Sequence, residues 1–110
     1  MVSEQEAQRA IDYVRDKAPE YAKAKAERVY IENALKSVKA KQMSESDKKT
    51  LGDREIDAYM SIEYETMLKG LREAVAIEEE ILWRMKAAQL RFDHFKVQQF
   101  NMRVEARALG

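Results

Sequence analysis

Apolar positions recur at helical spacing along most of this chain, and toward its C-terminus they fall on two faces rather than one. From Ser61 to Leu109 there is no proline and one glycine, Gly70. With Leu71 placed at heptad position a, the a positions are Tyr64, Leu71, Glu78, Met85, Phe92 and Gln99. The d positions are Met67, Ala74, Ile81, Ala88, Phe95 and Met102. Leu68, Val75 and Leu82 widen this stripe at e. Such a stripe is the inward face of a packed helix. Position f is also apolar: Ala76, Trp83, Leu90, Val97 and Val104. At ~100° per residue this line lies roughly 140° from a, so it is a separate seam. Phe100 lies beside it.

The rest of the chain divides by its punctuation. Ser3-Glu4-Gln5-Glu6 is a capping box that opens a short helix over 3–17. Pro19 then kinks that helix or starts a new one over 19–43. Tyr21, Ala24, Ile31, Leu35 and Val38 form one face of this second helix. Alanines 18, 22, 24 and 26 leave room for a close neighbour. Residues 44–60 are a connection: Ser44 to Gly52 reads as a loop, and Asp53 caps a short helix over 54–60. Ser61 caps the long helix over 61–109, with Glu63 and Glu65 placed against the positive end of its dipole.

The expected fold is all-α: a long antiparallel, coiled-coil-like helical hairpin in one domain spanning 1–110. A helix over 62–108 is ~70 Å long at about 1.5 Å per residue, and its partner over 19–43 only ~37 Å. The short N-terminal helix covers part of the difference. The f seam still faces water in one chain. The hairpin is therefore expected to dimerise, or assemble further, through the C-terminal half of the long helix, with Trp83, Leu90, Val97 and Phe100 as interface.

Composition agrees and adds exclusions. Of 110 residues, 36 % are charged and 45 % hydrophobic, with 3 glycines and 1 proline, a profile typical of long helices. There is no cysteine, which excludes disulfides and thiolate metal sites and fits a reducing cytoplasm. The polar N-terminus does not read as a signal peptide, and no apolar run is long enough for a bilayer. No membrane partner is expected. Net charge is zero, so no global field draws the chain to nucleic acid. The charge is nevertheless in blocks. Residues 1–16 carry two basic and four acidic groups, net −2, and residues 17–49 nine and five, net +4. Residues 50–80 carry three and nine, net −6, and residues 81–110 six and two, net +4. An antiparallel hairpin sets opposite blocks side by side.

Candidate chemistry is thin. His94 is the only histidine, and adjacent Asp93 points about 100° away on a helix. No second histidine or cysteine can complete a metal site, so no metal, cofactor or catalytic residue is assigned and the chain does not read as an enzyme. In Glu78-Glu79-Glu80, Glu80 can pair with Arg84 four residues on, whereas Glu78 sits at a core position and needs a partner. Lys36, Lys39, Lys41, Lys48 and Lys49 are the densest basic block, with Arg28 and Tyr30 nearby, and are the candidate nucleic-acid contact. Glu63 and Glu65 are expected to neutralise them across the hairpin, leaving any such contact weak or indirect. Met43, Met60, Met67, Met85 and Met102 read as core filler.

The stretch Tyr21-Ala22-Lys23-Ala24-Lys25-Ala26-Glu27-Arg28-Val29-Tyr30-Ile31-Glu32, followed by Arg54-Glu55 and Ser61-Ile62-Glu63-Tyr64, resembles a group of small helical phage proteins. So does Glu78-Glu79-Glu80-Ile81-Leu82-Trp83-Arg84-Met85-Lys86-Ala87-Ala88-Gln89. The likeness runs over most of the chain from about residue 16. It departs at Ile62, where that group would place proline. Such proteins tend to be encoded beside phage recombination and single-strand-binding genes. The resemblance implies a phage origin and a non-enzymatic role, contacting another phage or host protein of recombination or replication in the bacterial cytoplasm. The alternative expectation is an anti-defence inhibitor that occludes a host immune protein.

Overall fold

Hydroxyl side chains open all three helices. Ser3 accepts from the Glu6 N–H at 3.1 Å, Thr50 from the Asp53 N–H at 3.2 Å and Ser61 from the Tyr64 N–H at 3.2 Å. Each satisfies one of the amide donors that a helix start leaves without a partner. In the computed structural model, which describes residues 1–110, these caps precede α1 (Glu4–Glu45), α2 (Leu51–Tyr59) and α3 (Ile62–Leu109). There is no strand, and the architecture is the all-α antiparallel hairpin expected from the pattern.

Two boundaries differ from expectation. The break between 17 and 19 is absent: α1 is one helix of 42 residues with Pro19 inside it. A proline in a helix interior removes one hydrogen bond and crowds the carbonyl four residues earlier, at ~3 kcal/mol or more. Pro19 and Arg15 are both exposed, so the freed Arg15 carbonyl can turn to water. Val14 and Tyr21, on either side, are half-buried and hold the helix on course. The second difference is α2, which starts at Leu51 and not at 54. Thr50 takes the capping role assigned to Asp53, and Asp53 lies in the first turn instead.

The chain forms two compact units, and α1 and α3 contribute to both. The first contains Met1–Tyr21 and Glu80–Gly110. Here the start of α1 runs antiparallel to the end of α3. The Val2 N–H donates to Gln98 Oε1 at 2.9 Å, and Arg9, Ala10 and Tyr13 share a groove with Arg84, Ala87, Ala88 and Arg91. Ala7 and Ala10 are its buried core. The second unit is Ala22–Glu79, with buried Ala58, Ala74 and Glu78. Its connection is pinned by side chains. Ser46 Oγ donates to Asp57 Oδ2 at 2.6 Å, and Arg54 Nε donates to the Lys48 carbonyl at 2.7 Å. Ser61 Oγ donates to the Ala58 carbonyl at 2.7 Å.

Every a position of α3 is half-buried or buried, and so is every d position except Met102. The inward face of α1 (Tyr21, Ala24, Ile31, Leu35, Val38) is likewise half-buried. The e positions do less than expected, since Leu68 and Val75 are exposed and only Leu82 is half-buried. Alanines 18, 22 and 26 are also exposed, so close approach falls at Ala7, Ala10, Ala58 and Ala74 instead. Met43, Met67 and Met85 are half-buried, whereas Met60 and Met102 are exposed and fill no core.

Candidate interaction surface

The outer seam of α3 is open along its length. Trp83 is 61 % exposed, Leu90 68 %, Val97 55 % and Phe100 64 %. Val104 and Ala76 are exposed as well. α3 presents them on one line because it runs without interruption from Ile62 to Leu109. Lys86 Nζ lies 4.4 Å from the centre of the Trp83 ring, a cation–π contact on the same surface. Residues 101–110 are exposed on every face. No large side chain anywhere is fully buried, and the chain exposes 8470 Å². A folded monomer of 12.8 kDa exposes about 6,300 Å². A further group of exposed apolar residues comprises Leu51, Ile56 and Tyr59 on α2, Met60 just after it and Ile62 at the start of α3. In the sequence, residues 44–60 read as a connection, although Ile56, Tyr59 and Met60 stand at helical spacing on one face.

The core carboxylate has found its partner. Arg28 Nε and Nη2 both donate to Glu78, the second at 3.1 Å to Oε1, in a fork-on-fork pair. Arg28 Nη1 also donates to Glu32 Oε1 at 3.0 Å. The hydrogen bonds from Arg28 hold the Glu78 carboxyl below its ordinary pKa, against the opposing effect of burial. The same bonds, with those to Glu32, raise the Arg28 pKa. Arg28 is thus committed to the interior of the second unit and is not available to a phosphate.

The basic block is divided. Lys39 Nζ donates to Glu55 Oε1 at 2.7 Å and lies 4.7 Å from the Tyr59 ring centre. Tyr59 OH donates to the same Glu55 oxygen at 3.1 Å, and its ring meets Tyr64 edge-on at 5.2 Å. Glu55 is lowered first by the bond from Lys39 and then by that from Tyr59. Lys36, Lys41, Lys48 and Lys49 are exposed. The expected screening by Glu63 and Glu65 does not occur: Glu65 pairs with Lys69 at 3.4 Å, one turn along its own helix. The charge blocks therefore join two helices through only two ion pairs, Arg28–Glu78 and Lys39–Glu55. A different basic feature emerges in the first unit, where Arg9, Arg84 and Arg91 rim the groove floored by Ala10, Ala87 and Ala88. Of these, Arg84 is tied to Glu80 at 2.9 Å, the pair expected from their spacing.

His94 is exposed. Asp93 turns away from it, accepting from Gln89 Nε2 at 3.1 Å and pairing with Lys96 at 3.6 Å. No three His, Asp or Glu side chains converge at metal-binding distance. No helix is long and apolar enough to cross a membrane. No family model, curated protein or solved structure matches the chain.

Proposed function

We propose that this chain is a non-enzymatic helical interaction module that acts as an assembly of its own copies and, so assembled, contacts another protein. The exposed seam Trp83–Leu90–Val97, with Phe100 beside it, carries this reading. Aromatic and aliphatic side chains in a straight line on a rigid helix supply the apolar centre of a protein interface. A stripe of this kind left in water is a liability that self-association removes. The likeness to small helical phage proteins supports a partner from recombination or replication machinery. Nucleic acid is a secondary contact in this reading, since Arg28 and Lys39 are already paired inside the second unit, while Lys36, Lys41, Lys48 and Lys49 stay exposed.

Sedimentation of the natural chain at tens of micromolar, an order-of-magnitude choice for a modest interface, is expected to give a dimer or larger species. Replacing Trp83 and Leu90 together by glutamate should produce monomer with unchanged helical circular dichroism. A monomeric natural chain would refute the reading. Pull-down from phage-infected lysate with nuclease added should retain a protein partner. Loss of every partner on nuclease treatment would favour nucleic-acid bridging instead.

A further inference from the structure

Resting on the reading of the outer α3 seam as a self-association surface, we infer that two copies pair antiparallel along it, about a two-fold axis near residues 91 and 92. The residues three after each f position complete the seam as its second row. They are Glu79, Lys86, Asp93, Phe100 and Arg107, all exposed except the half-buried Asp93. Four of the five are charged, and their signs run −, +, −, then + beyond Phe100.

That order distinguishes the two ways of pairing. In a parallel two-fold pair each residue of the seam faces its own copy. Glu79 would face the partner's Glu79, Lys86 the partner's Lys86, Asp93 the partner's Asp93 and Arg107 the partner's Arg107. Four like-charge juxtapositions would line one apolar strip, and such contacts select against an arrangement more strongly than matched ones favour it. Reversing one copy removes all four. With the axis between 91 and 92, Lys86 comes within a turn of the partner's Asp93, and Glu79 within a turn of the partner's Arg107. The same placement sets Trp83 against the partner's Phe100, joining the two most exposed aromatic side chains of the seam. Moving the axis by half a heptad sets Trp83 against the partner's Asp93 instead.

The open end of α3 points to the same arrangement. Residues 101–110 are exposed on every face, including Met102 at a core position and Val104 at the seam. In the antiparallel pair they lie along the partner's α3 around residues 73–82, where Glu73, Glu79 and Glu80 meet Arg103 and Arg107. In a parallel pair the two arginine-bearing ends would lie side by side.

The absence of native cysteine makes the test direct. Lys86→Cys and Val97→Cys, each alone and combined in one chain, are oxidised and run on a non-reducing gel, with sedimentation of each variant beforehand. In the antiparallel pair residue 86 faces the partner's residue 97. The double variant should therefore form covalent dimer in high yield. Each single variant should form little, because its two thiols are offset by ~16 Å along the axis, beyond the ~7 Å Cα separation that a disulfide spans. Covalent dimer from both single variants would establish parallel pairing and overturn the inference. Dimer in sedimentation with no crosslink in any variant would overturn it too, while leaving self-association through another surface. Monomer throughout, in the natural chain as well, would refute both the inference and the reading beneath it.

Discussion

Glu78 occupies a position where its neighbours in the heptad are apolar, and it is 6 % exposed. A carboxylate so placed is tolerated only with a partner, and Arg28 supplies two hydrogen bonds to it. Removing one member leaves the other charged and poorly solvated. Arg28→Met or Glu78→Leu alone should lower the thermal midpoint more than the two together, and a double-mutant cycle by circular dichroism measures the difference. The pair also sets an acid limit. Because the Glu78 pKa is lowered in the folded chain, the unfolded chain takes up that proton at higher pH. The stabilisation is complete above the ordinary carboxylate value of 4.5 and is lost as pH falls through the lower folded value. Glu78→Gln should be less stable at neutral pH and should show a shallower fall below pH 4.5, with Glu55 contributing what remains.

At the scale of elements, the repeating pattern was the legible part. The a and d positions of α3 do face inward, Ser3 and Ser61 do cap, and the f seam does stay in water. What local rules missed were choices between equally good signals. Thr50 and Asp53 are both capping residues, and Gly52 argued for the later start because glycine is a poor helix former. The Thr50 hydroxyl caps from the end of a loop already held by Arg54 on the Lys48 carbonyl, and Asp53 still benefits the first turn as an anion. Lys39–Glu55 and Arg28–Glu78 are separated by 16 and 50 residues, so only folding reveals that they remove two members from the basic surface. Pro19 reads as a kink or a new helix start because its local cost is real. A helix with inward residues on both sides of an exposed proline can absorb that cost. Pro19→Ala should therefore raise the stability of the chain, by up to ~3 kcal/mol, as a higher midpoint in thermal or urea unfolding. No gain would mean that proline's restriction of the unfolded chain offsets the missing hydrogen bond.

For the whole molecule, the burial pattern explains why the sequence spoke more clearly about assembly than about chemistry. The fully protected positions are four alanines and one paired glutamate, and every large apolar side chain keeps some contact with water. Much of the hydrophobic area therefore stays at the surface, Trp83, Leu90, Val97 and Phe100 among it. It shows in the primary structure as a second stripe that stays exposed along α3. The chain's one histidine is exposed on a helix face. The sequence could name the stripe but not the partner, because a partner's chemistry is not written in the spacing of the residues it covers.

Trp83 is the chain's only tryptophan, and it stands 61 % exposed on the seam. The protein therefore carries a single native fluorophore on its proposed contact, with no second indole to blur the signal. At nanomolar concentration its emission should have the red maximum of a wetted indole. On raising the concentration through the association range, the maximum should move to the blue and quenching by iodide should weaken together with it. A Val97→Glu variant should hold the red maximum at every concentration. The midpoint of the colour change would then give the strength of self-association without any label, and a later shift on adding a purified partner would separate a competitor for the seam from a ligand that binds elsewhere.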